Sequence, residues 1–228
     1  IAQIIGAGGF GVVCRAWELQ LERDVALKLF VLTAQENNTD LKQMLREAKA
    51  LARLDHPGIV GAYSSGEADL VAGGETIWCG YIELQLVKDA KTLRGWVRDH
   101  QPSIDARLKA LLELGEALTY AHGRDILHRD LKPDNVLIDE AGRVRLIDLG
   151  LALMAASDSN ATRDGLWEQS RDDLGTRYTS TGMVRGTLSY MAPEAMRGRP
   201  QKASDQYALA LVAWEVLTGV HPDAESTG

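Results

Sequence analysis

His128-Arg129-Asp130-Leu131-Lys132-Pro133-Asp134-Asn135 decides how this chain folds. The run follows an amphipathic helical stretch and precedes a short apolar run, Val136-Leu137-Ile138, that reads as a strand. Pro133 fixes its own φ, forbids helix and pushes Lys132 towards extended geometry. The eight residues are therefore expected to form a rigid loop that presents Asp130, Lys132 and Asn135 together.

Outward from this loop, several further stretches carry chemistry. Upstream, Ile4-Ile5-Gly6-Ala7-Gly8-Gly9-Phe10-Gly11-Val12-Val13 reads as strand, glycine turn, strand. Gly6, Gly8 and Gly11 also fit a dinucleotide-binding turn, but that reading needs a helix straight after the third glycine, and β-branched Val12 and Val13 continue as strand. Glycines here would let backbone N–H groups approach phosphates closely. Lys28 lies in an alternating run, Asp24 to Phe30. A strand lysine ordinarily points to solvent, yet a helix predicted from about Asp40 to Leu54 brings an acid, Glu47, which could otherwise only balance Arg46 or Lys49. Pro57 breaks the chain after that helix. Downstream, Val144 to Gly150 closes a hairpin and ends in Asp148-Leu149-Gly150, and Gly186-Thr187 leads to Ala192-Pro193-Glu194.

These motifs together resemble a protein kinase catalytic domain of the eukaryotic-like serine/threonine type, including those found in bacteria. The resemblance implies an α+β, bilobal fold, with a small β-rich N-lobe over 1–86 and a mostly helical C-lobe over 87–228. It implies transfer of the γ-phosphate of ATP, with Mg2+, to serine or threonine hydroxyls of protein substrates. Asp130 would take or orient the hydroxyl proton, Lys132 would neutralise the moving group, and Asn135 and Asp148 would hold the metal. ATP would lie against Ile5, Gly6, Ala7, Gly8, Gly9, Phe10, Gly11, Val13, Ala26, Lys28, Glu47, Gln85, Leu86 and Leu137, with Lys28 paired to Glu47 and Gln85-Leu86-Val87 as the hinge. Leu84 stands at the family's gatekeeper position. His128 is expected to be structural, packing with Leu51 and Leu149, and Asp205 to hold the loop backbone. Leu149 departs from the commoner phenylalanine but keeps an apolar plug. Lys132 and Thr187 match the serine/threonine pattern.

Arg129 beside Asp130 implies regulation by phosphorylation, with Thr179, Thr181 and Thr187 as candidate sites, and a homodimer for trans-autophosphorylation is one option. The segment from Asp148 to Glu194 is long for the family. Its Asp158, Asn160 and Thr162 suggest a calcium loop only faintly, because Arg163 and Gln169 stand where glycine and glutamate are needed. A small-molecule phosphotransferase is disfavoured by Ala192-Pro193-Glu194 and Thr187, which build a peptide platform in the family. A scaffold that binds nucleotide without catalysis is the main alternative.

Bulk properties narrow the field. With 45% hydrophobic and 25% charged residues, the 228-residue chain is neither disordered nor a membrane protein by composition. No apolar run approaches the roughly 20 residues a spanning helix needs, and no signal segment opens at Ile1. A net charge of −7 disfavours nucleic acid or an anionic membrane as partner. Cys14 and Cys79 make no paired metal motif and are expected as free thiols. A cytoplasmic catalytic domain follows, with anchoring of a longer protein left open. The resemblance spans Ile5 to Pro222. The family's later helices are absent, as is the arginine that normally pairs with Glu194, so a fragment or one domain of a larger protein is expected. A helix over 205–218 would then expose apolar surface.

Overall fold

The computed structural model describes residues 1–8, 11–31, 48–49, 51–72, 74–149 and 188–222. Its first layer is a five-stranded antiparallel sheet in the order β1-β2-β3-β5-β4, formed by β1 (Gln3–Gly8), β2 (Gly11–Glu18), β3 (Arg23–Val31), β4 (Ala62–Ala72) and β5 (Glu75–Gln85). The β-branched and apolar residues of β2, β3 and β5 alternate across the two faces. Cys14, Leu29 and Cys79 are buried together on one side, and both cysteines are free thiols. Gly8 faces Gly11 across the first turn. Gly11 has φ of 117°, and a Cβ there would meet the Leu29 carbonyl oxygen at 2.1 Å, so this position admits only glycine.

The remainder is a small second sheet with helices. Strands β6 (Lys91–Thr92), β7 (Val136–Ile138) and β8 (Val144–Leu146) pair in that order. Helix α1 (Leu93–His100) starts at Thr92, whose side chain accepts from Gly95 N at 3.1 Å. Helix α2 (Ile104–His122) is capped by Ser103 and buries Ala110, Leu114, Ala117, Leu118 and Ala121, a stripe at helical spacing. After a short helix α3 (Pro193–Met196), helix α4 (Lys202–Thr218) buries Ala208, Val212 and Val216. It begins with a reciprocal cap between Gln201 and Ser204 and ends at left-handed Gly219. Tyr207 and Trp214 of α4 remain partly exposed.

One apolar cluster unites α2, α4, β7 and β8. Leu51, Leu54 and Ile59 join it. The end of the predicted first helix and the segment after it thus pack into the helical body, although they lie in the N-terminal part of the sequence. Gly58 O accepts from Leu146 N at 2.8 Å, and Val60 N donates to Leu146 O at 3.0 Å. Beside them Gln85 N donates to Gly61 O at 2.9 Å, which ties together the two places where the chain passes between sheet and helices.

Several boundaries differ from expectation. In the sequence, Ala62 to Gly66 and Trp78 to Leu84 read as strands flanking a turn at Gly73-Gly74, and in the structure both strands are longer, as β4 and β5. Gln85, expected in the hinge, still pairs with Val25 as the last residue of β5. Helix α4 starts at Lys202 rather than near Asp205. Of the helix predicted over 40–54, only its last turn is described.

Candidate active site

The site is built around two strained residues, one in the loop after α2 and one just after β8. Arg129 and Asp148 both adopt left-handed backbone, with φ of 67° and 58°. For non-glycine residues this costs on the order of 1–3 kcal/mol each, so the surroundings must impose it. At Arg129 the restraint is Asp205, 2% exposed on α4. Its Oδ1 accepts from Arg129 N and its Oδ2 from His128 N, both at 2.8 Å. His122 Nε2 lies 2.7 Å from the same Oδ2. Asp205 therefore holds the backbone of this loop, as the family pattern implied.

Past the restraint, Pro133 does not exclude helix as expected but opens a single turn of 3-10 helix, Pro133–Asn135, with Lys132 extended before it, because proline's missing N–H costs nothing at the first helical position. This geometry gathers the polar side chains. Lys132 Nζ donates to Asp130 Oδ2 at 2.8 Å. Asn135 Nδ2 donates to Asp130 O at 2.8 Å and to Asp130 Oδ2 at 3.0 Å. With its amide hydrogens directed at Asp130, Asn135 offers its oxygen to any cation. Asn135 O accepts from Ile147 N at 3.0 Å, which places the residue before Asp148 beside Asn135.

His128 is fully buried. Its Nδ1 accepts from Asp130 N at 3.3 Å, and burial holds its pKa below the ordinary 6.5 despite the nearby carboxylates. A neutral ring fixed in this way supports the loop and is poorly suited to serve as a base. Leu51 and Leu149, its expected neighbours, are buried in the large apolar cluster.

Lys28 comes from the central strand β3, opposite Val13 on β2 and Ile82 on β5. Its side chain is 5% exposed, so its charge needs a partner. The partner is Asp148, with Nζ–Oδ1 at 2.7 Å. Glu47, the expected partner, lies outside the described residues. Lys28, Leu84, Ile82 and Asp148 line one small cleft between sheet and helical body.

The other residues expected to touch ATP distribute as follows. Ile5, Gly6, Ala7 and Gly8 are on β1, and Gly11 and Val13 on β2. Ala26 shares a face of β3 with Lys28, Gln85 ends β5, and Leu86 follows it. Leu137 is in β7, opposite Thr92. Gly9, Phe10, Thr179, Thr181 and Thr187 lie outside the described residues. Among the described residues no cluster of three His, Cys, Asp or Glu side chains could hold a metal by itself. A magnesium ion held by Asn135 and Asp148 would need phosphate oxygens to complete its shell.

A second polar cluster escaped the sequence reading. Arg94 on α1 donates to Asp134 Oδ2 from both Nε and Nη2 at 3.1 Å, and to Tyr190 OH at 3.0 Å. Arg94 Nη1 also donates to Glu215 Oε1, and Tyr190 OH donates to Glu215 Oε2. Burial opposes the Arg94 charge, but the bonds to Asp134 and Tyr190 outweigh it and raise the pKa. Burial, then the bond to Glu215, raises that of Tyr190. The available signal was Glu215, the one charged residue in the apolar run from Tyr207 to Leu217. Glu194 accepts from Ser204 Oγ at 2.6 Å, a bond that lowers its pKa.

Comparison with known proteins agrees with this geometry. The family described as "Protein kinase domain" matches residues 1–228. Serine/threonine-protein kinase PknB of Mycobacterium tuberculosis is 35% identical over 224 residues, covering 97% of this chain and 32% of its own length. Serine/threonine-protein kinase PrkC of Bacillus subtilis is 33% identical over 228 residues, 99% of this chain and 31% of its own. Serine/threonine-protein kinase PknD of Chlamydia abortus is 34% identical over 232 residues, 100% of this chain and 25% of its own. The chain thus spans about a third or less of the length of these relatives. With the loop, the buried lysine and the family match in agreement, this chain belongs to the protein kinase domain family.

Proposed function

We propose that the chain transfers the γ-phosphoryl group of ATP to serine or threonine hydroxyls of protein substrates. The observation that carries this reading is the convergence of Lys28, Asp148, Asn135, Lys132 and Asp130 from two layers of the fold. Phosphoryl transfer rests on alignment and charge stabilisation more than on covalent help. In this reading the acceptor oxygen forms a bond to phosphorus as the bond to the ADP oxygen breaks. Asp130 takes the hydroxyl proton, and Lys132, already beside it, balances the charge on the transferred group. Magnesium bound between Asn135 and Asp148 would supply charge neutralisation at the phosphates. Lys28 would exchange part of its contact with Asp148 for phosphate oxygens. The names of the relatives support serine and threonine as acceptors, and Thr179, Thr181 and Thr187 are the proposed sites of autophosphorylation, within one chain or across a homodimer.

The test is label transfer from ATP to serine- and threonine-containing peptides, with Asp130→Asn and Lys28→Met as comparisons. Loss of a positioned base lowers the rate by roughly 10²–10⁴. A wild-type protein that binds Mg·ATP but transfers nothing would establish the non-catalytic alternative.

A further inference from the structure

The cluster around Arg94 lies outside the phosphoryl-transfer residues but next to them. Asp134 sits between Lys132 and Asn135 in the loop, and Tyr190 lines one cleft with Asp130 and Arg129. Tyr190 thus borders the cleft on the Asp130 side, and Asp134 is joined to it through Arg94. Two carboxylates, Asp134 and Glu215, converge here. Asp134 is 47% exposed on its side chain and Glu215 only 11%. Without a cation they would form a ready acceptor for an arginine or lysine of the substrate. Arg94, 41% exposed, already occupies them. Its planar fork spends Nε and Nη2 on Asp134 and Nη1 on Glu215, and Nη2 also reaches Tyr190.

We propose that Arg94 is a specificity-determining residue: its guanidinium fills the acidic site formed by Asp134 and Glu215 beside the acceptor cleft. It withholds these carboxylates from the substrate, so a basic side chain near the acceptor hydroxyl adds little to recognition. The proposal rests on the assignment of Asp130 as the acceptor-side residue.

The test uses the intact protein and two acceptor peptides that differ at one flanking residue, arginine or alanine. In wild type their kcat/KM values should be similar. In Arg94→Ala the arginine peptide should gain on the order of fivefold over the alanine peptide, the worth of a partly exposed ion pair. The gain should shrink in high salt. It should disappear when Asp134→Asn is added. A folded Arg94→Ala protein with an unchanged peptide ratio overturns the proposal. If Arg94→Ala does not fold because Glu215 is left unpaired, Asp134→Asn alone serves. It removes one of the two acids facing Arg94 and should disfavour the arginine peptide, and no change in ratio overturns the proposal equally. If wild type transfers no phosphate, the reading of the reaction fails, and the two peptides are compared instead by their direct binding to the same variants.

Discussion

Replacing Asp205 by asparagine should unfold the protein more easily and slow it far more than its distance from the reacting atoms suggests. The buried carboxylate accepts two backbone N–H groups, from His128 and Arg129, and contacts His122. Asparagine keeps the shape but has one oxygen. If that oxygen keeps Arg129 N, the new NH2 faces the N–H of His128, donor against donor. The charge-assisted hydrogen bond to His128 N is replaced by an unpaired buried N–H, a loss of about 1.5–3 kcal/mol. That is a sizeable share of the roughly 5–15 kcal/mol that stabilises a domain. Guanidinium denaturation at neutral pH measures it as a lower midpoint at constant slope. Arg129 is also the left-handed residue immediately before Asp130, so its release should let the acceptor-side carboxylate drift. A misplacement of about 1 Å costs on the order of 100-fold in rate. A loss below about 1 kcal/mol with an unchanged transfer rate would refute the idea that Asp205 imposes the loop geometry.

Two further outcomes follow from buried positions. Burial lowers the His128 pKa below 6.5, so between the folded value and 6.5 the unfolded chain binds a proton that the folded chain does not. Its contribution is therefore complete above about pH 6.5 and is lost as the pH falls, by up to about 1.4 kcal/mol per pH unit. His128→Phe should flatten the stability profile over that window relative to wild type, and parallel profiles would contradict the assignment of a buried neutral ring. Gly11→Ala should cost more than about 1 kcal/mol by thermal or chemical unfolding, because it combines positive φ with a collision against the Leu29 carbonyl. An alanine protein as stable as wild type would mean that the first turn relaxes freely.

What the sequence disclosed was local chemistry. The Pro133 turn, the glycine hairpin and the 3.6-residue stripe of α2 each depend on residues close in the chain, so their spacing revealed them. The outer half of β4 was hidden because Glu67, Ala68 and Asp69 have weak strand preference. That edge strand is set by its ladder with β5 rather than by its own residues. The start of α4 was missed because its cap is reciprocal, Gln201 with Ser204, and reads from neither residue alone. The Arg94 cluster was illegible for a different reason. Its members are contributed by α1, the loop, the Tyr190 turn and α4, and no spacing rule links them. For Lys28 the family pattern named Glu47 as partner, whereas the partner among the described residues is Asp148.

The bond between Gln85 N and Gly61 O, with the bridge from Gly58 and Val60 to Leu146, has a mechanical consequence. Two chain crossings, laced side by side, behave as an axle rather than a tether. A swing of the five-stranded sheet about that line would leave these bonds intact, whereas sliding would break them. Closure about such an axle would return Lys28 to the same place.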